Sequence, residues 1–469
     1  MVRRDIKELD AFIEKKMKEL RMPGLMVAIR GPEGEIFEKG YGVRDKEMSI
    51  CPDEHTICGI ASMGKSMAGL ALAILAAEGK LSLDDPVNQY IPGFHVPGNA
   101  DEAETIRALA THTAGIPPME PLEWSIAMNT PGDNSDWAKK MRETSPNKMD
   151  RIEQIIDYIA NCPYETLGAP GEYMSYSNEG YAILCYVVDQ AAGMPLEQFL
   201  KERVFDPISM TRTILDTDAS KAREIASDGN ITSLFEKEDG QFVVDDDWSI
   251  LPPFRACACV KSTAHDMARY YQCLANRGKI DGLQVLPEEA VEIMLGRAFP
   301  LREKEVYCLG LEKRAYEGHV ICSHSGGLHG VSSEGALLLD ENVGLAVLCN
   351  EGDNDAEEII RALINFVLGK PLDNDLRWLH PTGRKFSQPQ MLIGEYICHE
   401  GIPAKGKVFL DGDDLKIDRD GRVFDLLHCG ETWFQIAKDG KAVGRCHFHI
   451  RQGKAWGVQV YTRVYQRVQ

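Results

Sequence analysis

The chain has 469 residues, too many for one ordinary domain, so two or three are expected. Hydrophobic residues make up 44%, enough for real cores, and a formal net charge of −20 argues against nucleic acid and anionic membrane surfaces as partners. The 13 cysteines lie in apolar runs such as Ile183-Leu184-Cys185-Tyr186, as small buried hydrophobes in a reducing compartment do. Cys257-Ala258-Cys259 has no mirroring Cys/His pair, so no metal and no cofactor are expected. The first residues hold no apolar signal-peptide core, and no run reaches the ~20 apolar residues of a membrane span, so a cytoplasmic location is expected.

Ile6, Leu9, Phe12, Ile13 and Met17 recur at helical spacing and predict an amphipathic helix over 4–20. Residues 25–30 and 35–42 predict a hairpin around the turn Gly31-Pro32-Glu33-Gly34. The stretch 56–67 leads into Ala68–Ala77, which is apolar on every face and reads as a buried helix ending at Gly79. Ser62 and Lys65 fall in its first turn. Residues three apart in a helix share a face, so Lys65 can reach the Ser62 hydroxyl. A serine hydroxyl is a poor nucleophile until a base takes its proton, and burial lowers a lysine from about 10.4 towards that task. The helix start also offers free N–H groups and a partial positive charge to an oxyanion. Alone, the same spacing suits a capping serine beside a solvated lysine, so the reading needs partners elsewhere.

Residues 80–300 read mainly as helix and loop. Residues 118–150 form a long loop with short helices, of the kind that shapes binding sites. A helix follows over 151–161, another runs from the turn at Pro170-Gly171 to about Gly193, and Ser262-Thr263-Ala264-His265-Asp266 looks like a capped helix start. Strands return over 305–314, 318–323, 333–340 and 343–349. A helix over 354–368 has Ile359, Ile360, Leu363, Ile364 and Val367 on one face. Strands at both ends flanking an all-helical subdomain make one antiparallel sheet with helices packed on it, an α+β fold. Residues 371–388 are polar and carry Pro371 and Pro381, and read as a linker. Past it, short alternating strands separated by turns such as Asp420-Gly421 and Asp439-Gly440 predict a small antiparallel β-barrel of seven or eight strands. The expected domains are 1–370, with the helical insertion at about 80–300, and 389–469.

Two further motifs complete the argument. Tyr176-Ser177-Asn178 lies on a tight loop that opens a helix, where Tyr176 could carry a proton and Asn178 could hold Lys65 and a substrate carbonyl. Alone it also fits a core tyrosine and a capping asparagine. His324-Ser325-Gly326-Gly327 ends an apolar strand, and glycine in a strand marks a close approach to the backbone. The Gly327 N–H could pair with that of Ser62 as an oxyanion hole, a donor worth about 10²–10³ in rate.

Ser-x-x-Lys, Tyr-Ser-Asn and His-Ser-Gly occur in this order on a helix, a loop and a strand. Together with Thr111-His112-Thr113-Ala114-Gly115-Ile116-Pro117 and Phe205-Asp206-Pro207 they resemble the serine β-lactamase and penicillin-binding-protein family over roughly residues 5–370. The branch is that of class C β-lactamases, D-aminopeptidases, D-alanyl-D-alanine carboxypeptidases and related esterases. The C-terminal barrel resembles the lipocalin-like domain attached to some family peptidases. The resemblance implies that Ser62 is acylated, that Lys65 and Tyr176 share acid–base work, that Asn178 orients Lys65 and substrate, and that Ser62 and Gly327 supply the oxyanion N–H groups, with Ser325 and Gly326 beside them. His324 stands where the family usually has lysine. A mostly neutral histidine there puts β-lactam hydrolysis in doubt and moves the weight to peptides, amides or esters.

The expected function is therefore a serine hydrolase working through an acyl-enzyme on small peptides or amides, including ones with a D-residue. A carboxylesterase or weak class C-type β-lactamase is the alternative among enzymes. A non-catalytic penicillin-binding-like sensor is the alternative of another class, and a homo-oligomer is compatible with all three. His112 reads as a buried, hydrogen-bonded histidine, His265 as part of a helix cap, and His329 as a candidate substrate contact.

Overall fold

The computed structural model describes residues 5–468 apart from 101–102, 131–132, 134, 239, 247, 297, 303–304, 353–355, 376–378 and 401–403. Its first helix, α1 (Ile6–Leu20), begins where the Asp5 carboxylate accepts the Lys7 N–H at 3.0 Å, and it buries Leu9, Ile13 and Met17 at four-residue spacing. Four further helices frame the molecule: α2 (Lys65–Ala77), α3 (Asn178–Ala192), α4 (Ala264–Ala275) and α5 (Ala356–Val367).

The hairpin β1 (Gly24–Gly31) and β2 (Gly34–Gly42) forms as its turn residues require. Six strands follow much later in the chain: β3 (Phe299–Arg302), β4 (Glu305–Tyr307), β5 (Glu312–Tyr316), β6 (His319–Leu328), β7 (Val331–Leu338) and β8 (Val343–Cys349). All eight make one antiparallel sheet in the order β3-β4-β5-β6-β7-β8-β1-β2. Pairing of β1 with β8, Leu25 opposite Cys349 and Arg30 opposite Gly344, joins the two ends of this part of the chain.

Strand period decides which layer each side chain joins. Leu345 and Val347 of β8 pack with Leu9 and Ile13 of α1 and with Ile359 and Leu363 of α5. Ala346 and Leu348 point the other way, into a core shared with Met267 of α4 and Leu70 of α2. The single strand expected over 305–314 is two, β4 and β5. Gly310 bends the chain between them at φ +78°, and a Cβ there would lie 2.5 Å from the Lys65 carbonyl oxygen. That turn therefore packs directly on the start of α2. β3 has no counterpart among the expected elements; Pro300 lacks an N–H and sits on this edge strand. The insertion is not wholly helical. It also holds the hairpin Leu234–Glu238/Gln241–Asp245 and the short strands Ile214–Leu215 and Val260–Ser262, which pair with each other, the latter also with Cys58–Gly59 ahead of the insertion. These runs of two to five residues are too short to show a period in the sequence.

The C-terminal strands are β9 (Gly394–Cys398), β10 (Ala404–Asp411), β11 (Asp414–Arg419), β12 (Arg422–Gly430), β13 (Trp433–Lys438), β14 (Lys441–Arg451), β15 (Lys454–Val460) and β16 (Arg463–Arg467). They close into a barrel through β9 and β16, with Tyr396 opposite Arg467. Phe434, Ile436, Cys446, Phe448 and Val458 fill it. Asp420-Gly421 and Asp439-Gly440 both take positive φ at each residue, as a two-residue hairpin turn demands. The barrel wall meets the first sheet where Arg445 Nη1 lies 3.1 Å from both Glu305 carboxylate oxygens. All 13 cysteines are free thiols. Among the described residues no helix is long and apolar enough to cross a membrane.

Candidate active site

Ser62 lies in a 3₁₀ turn, Ala61–Gly64, that runs into α2, rather than in the α-helix itself. Gly64 makes the tight turn workable: a Cβ there would lie 2.3 Å from the Ala256 carbonyl oxygen. Ala61 precedes Ser62 in the left-handed region at φ +45°, a strained conformation that costs a non-glycine residue about 1 kcal/mol or more. Lys65 opens α2 and is fully buried. Its Nζ lies 2.8 Å from Ser62 Oγ and 2.8 Å from Asn178 Oδ1. Asn178 is the first residue of α3, which is capped by Ser177 Oγ accepting the Gly180 N–H at 3.0 Å. Tyr176, one residue before the cap, brings its ring centre to 4.7 Å from Lys65 Nζ. The structure thus gathers Ser62, Lys65, Tyr176 and Asn178 around one nitrogen.

The charge on Lys65 depends on its neighbours. Burial works to lower its pKa, but Cys257 and Tyr176 beside it outweigh burial and hold it above the usual lysine range, against the lowering expected from burial alone. The Cys257 thiol is itself pushed up to about 11 by burial, so it is protonated at neutral pH. The balance is upward, opposite to what burial alone gives, so Lys65 rests as the ammonium, hydrogen-bonded to Ser62 Oγ and Asn178 Oδ1.

β6 brings the third motif. Its alternation buries His324 and Gly326 and leaves Ser325 and Gly327 exposed. Gly326 is the point of closest approach: a Cβ there would lie 2.2 Å from the Ile60 carbonyl oxygen, and Ser333 Oγ of β7 donates to the same oxygen at 2.9 Å. This contact sets the Gly327 backbone alongside the Ser62 turn. His324 is neutral: burial, helped by Lys65, pushes it down to about 3. His112 is likewise held well below the usual histidine range by burial and Lys65. Its Nδ1 accepts the Ser177 N–H at 3.0 Å and its Nε2 lies 3.1 Å from Tyr307 Oη. Tyr307 Oη lies 3.2 Å from His324 Nε2, and His324 Nδ1 lies 2.6 Å from the Ser325 carbonyl oxygen.

Two other histidines go elsewhere. His329 sits between Asp245, 2.9 Å from its Nε2, and Glu236, 3.3 Å from its Nδ1, on the hairpin of the insertion. Its hydrogen-bonding atoms are thus engaged by carboxylates, whatever substrate contact its ring makes. His265 lies 2.9 Å from the Glu38 carboxylate. Cys257 and Cys259 turn to different partners, the Asn178 and Leu251 carbonyl oxygens.

The barrel supplies residues that sequence reasoning missed. The Thr462 carbonyl accepts the Tyr176 N–H at 2.8 Å, and Ser175 Oγ accepts the Val464 N–H at 3.2 Å. Between them the Arg463 guanidinium lies 4.4 Å from the Tyr176 ring centre. Arg463 pairs with Glu400 through both Nε and Nη2, the latter 2.7 Å from Oε1. Glu123 and Glu179 lie close enough to feel Glu400; burial, then that charge, pushes both up to about 7. No local pattern could have announced these contacts, since 289 residues separate Ser175 from Val464.

An eight-stranded antiparallel sheet, a large helical insertion and a Ser-x-x-Lys turn at their junction define a β-lactamase/transpeptidase fold. The chain belongs to the beta-lactamase family, whose model matches residues 9–368. Penicillin-binding protein 4* of Bacillus subtilis is 25% identical over 454 residues, 91% of either chain. The octameric penicillin-binding protein homologue from Pyrococcus abyssi superposes with a TM-score of 0.68 at 23% identity, over 99% of this chain and 100% of that one. D-amino acid amidase from Ochrobactrum anthropi SV3, solved with L-phenylalanine amide, gives 0.60 at 20% identity over 77% and 98%. The two structural likenesses speak to the fold.

Proposed function

We propose that this chain is a serine hydrolase that forms an acyl-enzyme on Ser62 and cleaves small peptides or amides. The observation that carries the reading is the buried Lys65 amine 2.8 Å from Ser62 Oγ and 2.8 Å from Asn178 Oδ1. Ser62 Oγ attacks the substrate carbonyl carbon while its proton passes to the Lys65–Tyr176 pair. The oxyanion is met by the Ser62 and Gly327 N–H groups, beside Ser325 and Gly326. Collapse expels the amine, which takes its proton from Tyr176, and water then releases the acyl group by the reverse path. Asn178 holds Lys65 in place and is free at its amide to meet a substrate carbonyl.

The neutral His324 supports amides over β-lactams, because an uncharged ring cannot pair with a carboxylate. The barrel turn at Thr462-Arg463 supports short substrates, because it stands against Tyr176 at one side of the cleft. A D-amino acid amidase among the structural neighbours fits this substrate class. We further propose that residues 389–469 are a lipocalin-like domain in its own right, joined through 371–388, and that the chain assembles as a homo-oligomer, as its octameric neighbour does.

The test is a fluorophosphonate probe followed by intact mass, then p-nitroanilides of D- and L-amino acids, p-nitrophenyl esters and nitrocefin. Labelling of the wild type but not of Ser62→Ala, with turnover of a D-aminoacyl anilide, is the expected result. Turnover of esters alone makes it an esterase, and rapid nitrocefin cleavage a β-lactamase. A stable adduct without turnover makes it a sensor, and the hydrolase reading fails.

A further inference from the structure

Hydrogen positions along the histidine chain follow from chemistry alone. The Ser177 backbone N–H can only donate, so His112 Nδ1 is bare. A neutral His112 must then carry its proton on Nε2 and donate it to Tyr307 Oη. From the other end, the Ser325 carbonyl can only accept, so His324 Nδ1 carries the proton. A neutral His324 then presents a bare Nε2, and Tyr307 Oη, 3.2 Å away, is the donor that meets it. Both deductions assign the same roles to Tyr307: it accepts from His112 and donates to His324. The chain Ser177→His112→Tyr307→His324→Ser325 crosses from the loop carrying Tyr176 and Asn178 to the strand carrying Gly327.

We infer that Tyr307 is the positioning and specificity residue of this site: its hydroxyl holds His324 as an uncharged acceptor and so selects substrates that are neutral, rather than carboxylate-bearing, where they meet β6. The inference rests on the acyl-transfer reading for its substrate consequence, but not for its hydrogen-bond chain. Tyr307 is buried at 1% exposure and packs with Met174 and Tyr176, so its ring is fixed by apolar contacts and its hydroxyl is free to serve polar ones. Protonating His324 would add a hydrogen to Nε2 facing the Tyr307 oxygen, and the hydroxyl would have to give up its donor role. The groups that face His324 are Lys65, Tyr176 and Tyr307, with His112 and Tyr181 behind the tyrosine. Lys65 opposes a second positive charge there, and Tyr307 occupies the atom that would receive it.

The experiment has two arms. In long-range ¹⁵N–¹H spectra of the full-length wild type, His112 is expected protonated on Nε2 and His324 on Nδ1 throughout pH 5–8. A His324 protonated on Nε2 or doubly protonated there overturns the inference, and this arm needs no turnover. In Tyr307→Phe, which keeps the ring packing, kcat/KM for a D-aminoacyl anilide, which carries no carboxylate, should fall about tenfold, the scale of one buried hydrogen bond. The rate of Ser62 acylation by benzylpenicillin, relative to that anilide, should rise about tenfold at pH 6 and less at pH 8, because His324 becomes protonatable. His324→Lys should move the same ratio in the same direction without the pH dependence, and it serves where Tyr307→Phe does not fold. If both substrates lose rate in proportion, Tyr307 is merely structural and the inference fails. If the wild type is never acylated, the proposed function falls, while the spectra still decide the tautomers.

Discussion

Gly326→Ala is the sharpest test of the proposed oxyanion site. A Cβ at Gly326 would lie 2.2 Å from the Ile60 carbonyl oxygen, where real Cβ contacts stay above 3.0 Å. β6 must therefore retreat by the shortfall of about 0.8 Å from the turn that carries Ser62. Ser333 Oγ, 2.3 Å from the same Cβ, blocks an easy sideways escape. Gly327 is the next residue and moves with the strand. An oxyanion contact of about 2.9 Å then stretches to about 3.7 Å, beyond hydrogen-bonding range. That equals loss of one oxyanion donor, about 10²–10³ in kcat/KM, with about 1–3 kcal/mol of stability lost to overpacking. The assay is steady-state turnover of an anilide together with the rate of fluorophosphonate labelling and a thermal melt. A variant whose melting point drops while kcat/KM stays within about threefold of wild type would show that β6 does not build the oxyanion site.

Three further outcomes follow from named contacts. Lys65→Ala should lower Ser62 acylation by about 10²–10⁴ or more, since it removes the proposed base and strands Asn178 Oδ1; unchanged labelling would remove Lys65 from the chemistry. Arg463→Ala removes both the Glu400 pair and the guanidinium against Tyr176, and should raise kcat/KM for tetrapeptides relative to single-residue amides by about tenfold; an unchanged ratio would mean that the barrel does not set substrate length. Stability against pH has a signed expectation. His324 and His449, down at about 3, and His447, at about 4, have folded pKa values below the unfolded value near 6.5, so their contribution is lost as pH falls below about 6.5. Glu123 and Glu179, up at about 7, and Glu334, at about 8, take up protons first in the folded state and add stability as pH falls towards about 4.5. A plateau in unfolding free energy between about pH 7 and 5, with a steep fall below 4.5, is expected. In a Glu123→Gln, Glu334→Gln double variant the decline should start near pH 6.5, and a surviving plateau would contradict the assignment.

Local features carried most of what the sequence revealed. Ser62 and Lys65 are three residues apart, so their contact needs only one turn of helix, and it forms even though the turn is 3₁₀ at the serine. Leu345 and Val347 against Ala346 and Leu348 show the period of two that assigns β8 to a buried strand with two packed faces. Asp-Gly pairs announce the barrel hairpins because few other residues tolerate two positive φ angles in succession. Where the sequence misled, the cause lies across the fold. A continuous strand over 305–314 is broken because Gly310 must fit against the Lys65 backbone.

The sequence by itself determined where the three motifs lie and which short elements hold them, because capping, periodicity and turn formation act over a few residues. Tertiary structure alone decided how those elements face one another. It set Tyr307 between His112 and His324, brought Arg463 and Thr462 of the barrel to Tyr176, and pressed Gly326 against Ile60. These contacts join residues tens to hundreds of positions apart. They arise from burying the faces of a sheet, a helical layer and a barrel against each other, a driving force that is non-directional and leaves no mark in any one stretch of the chain.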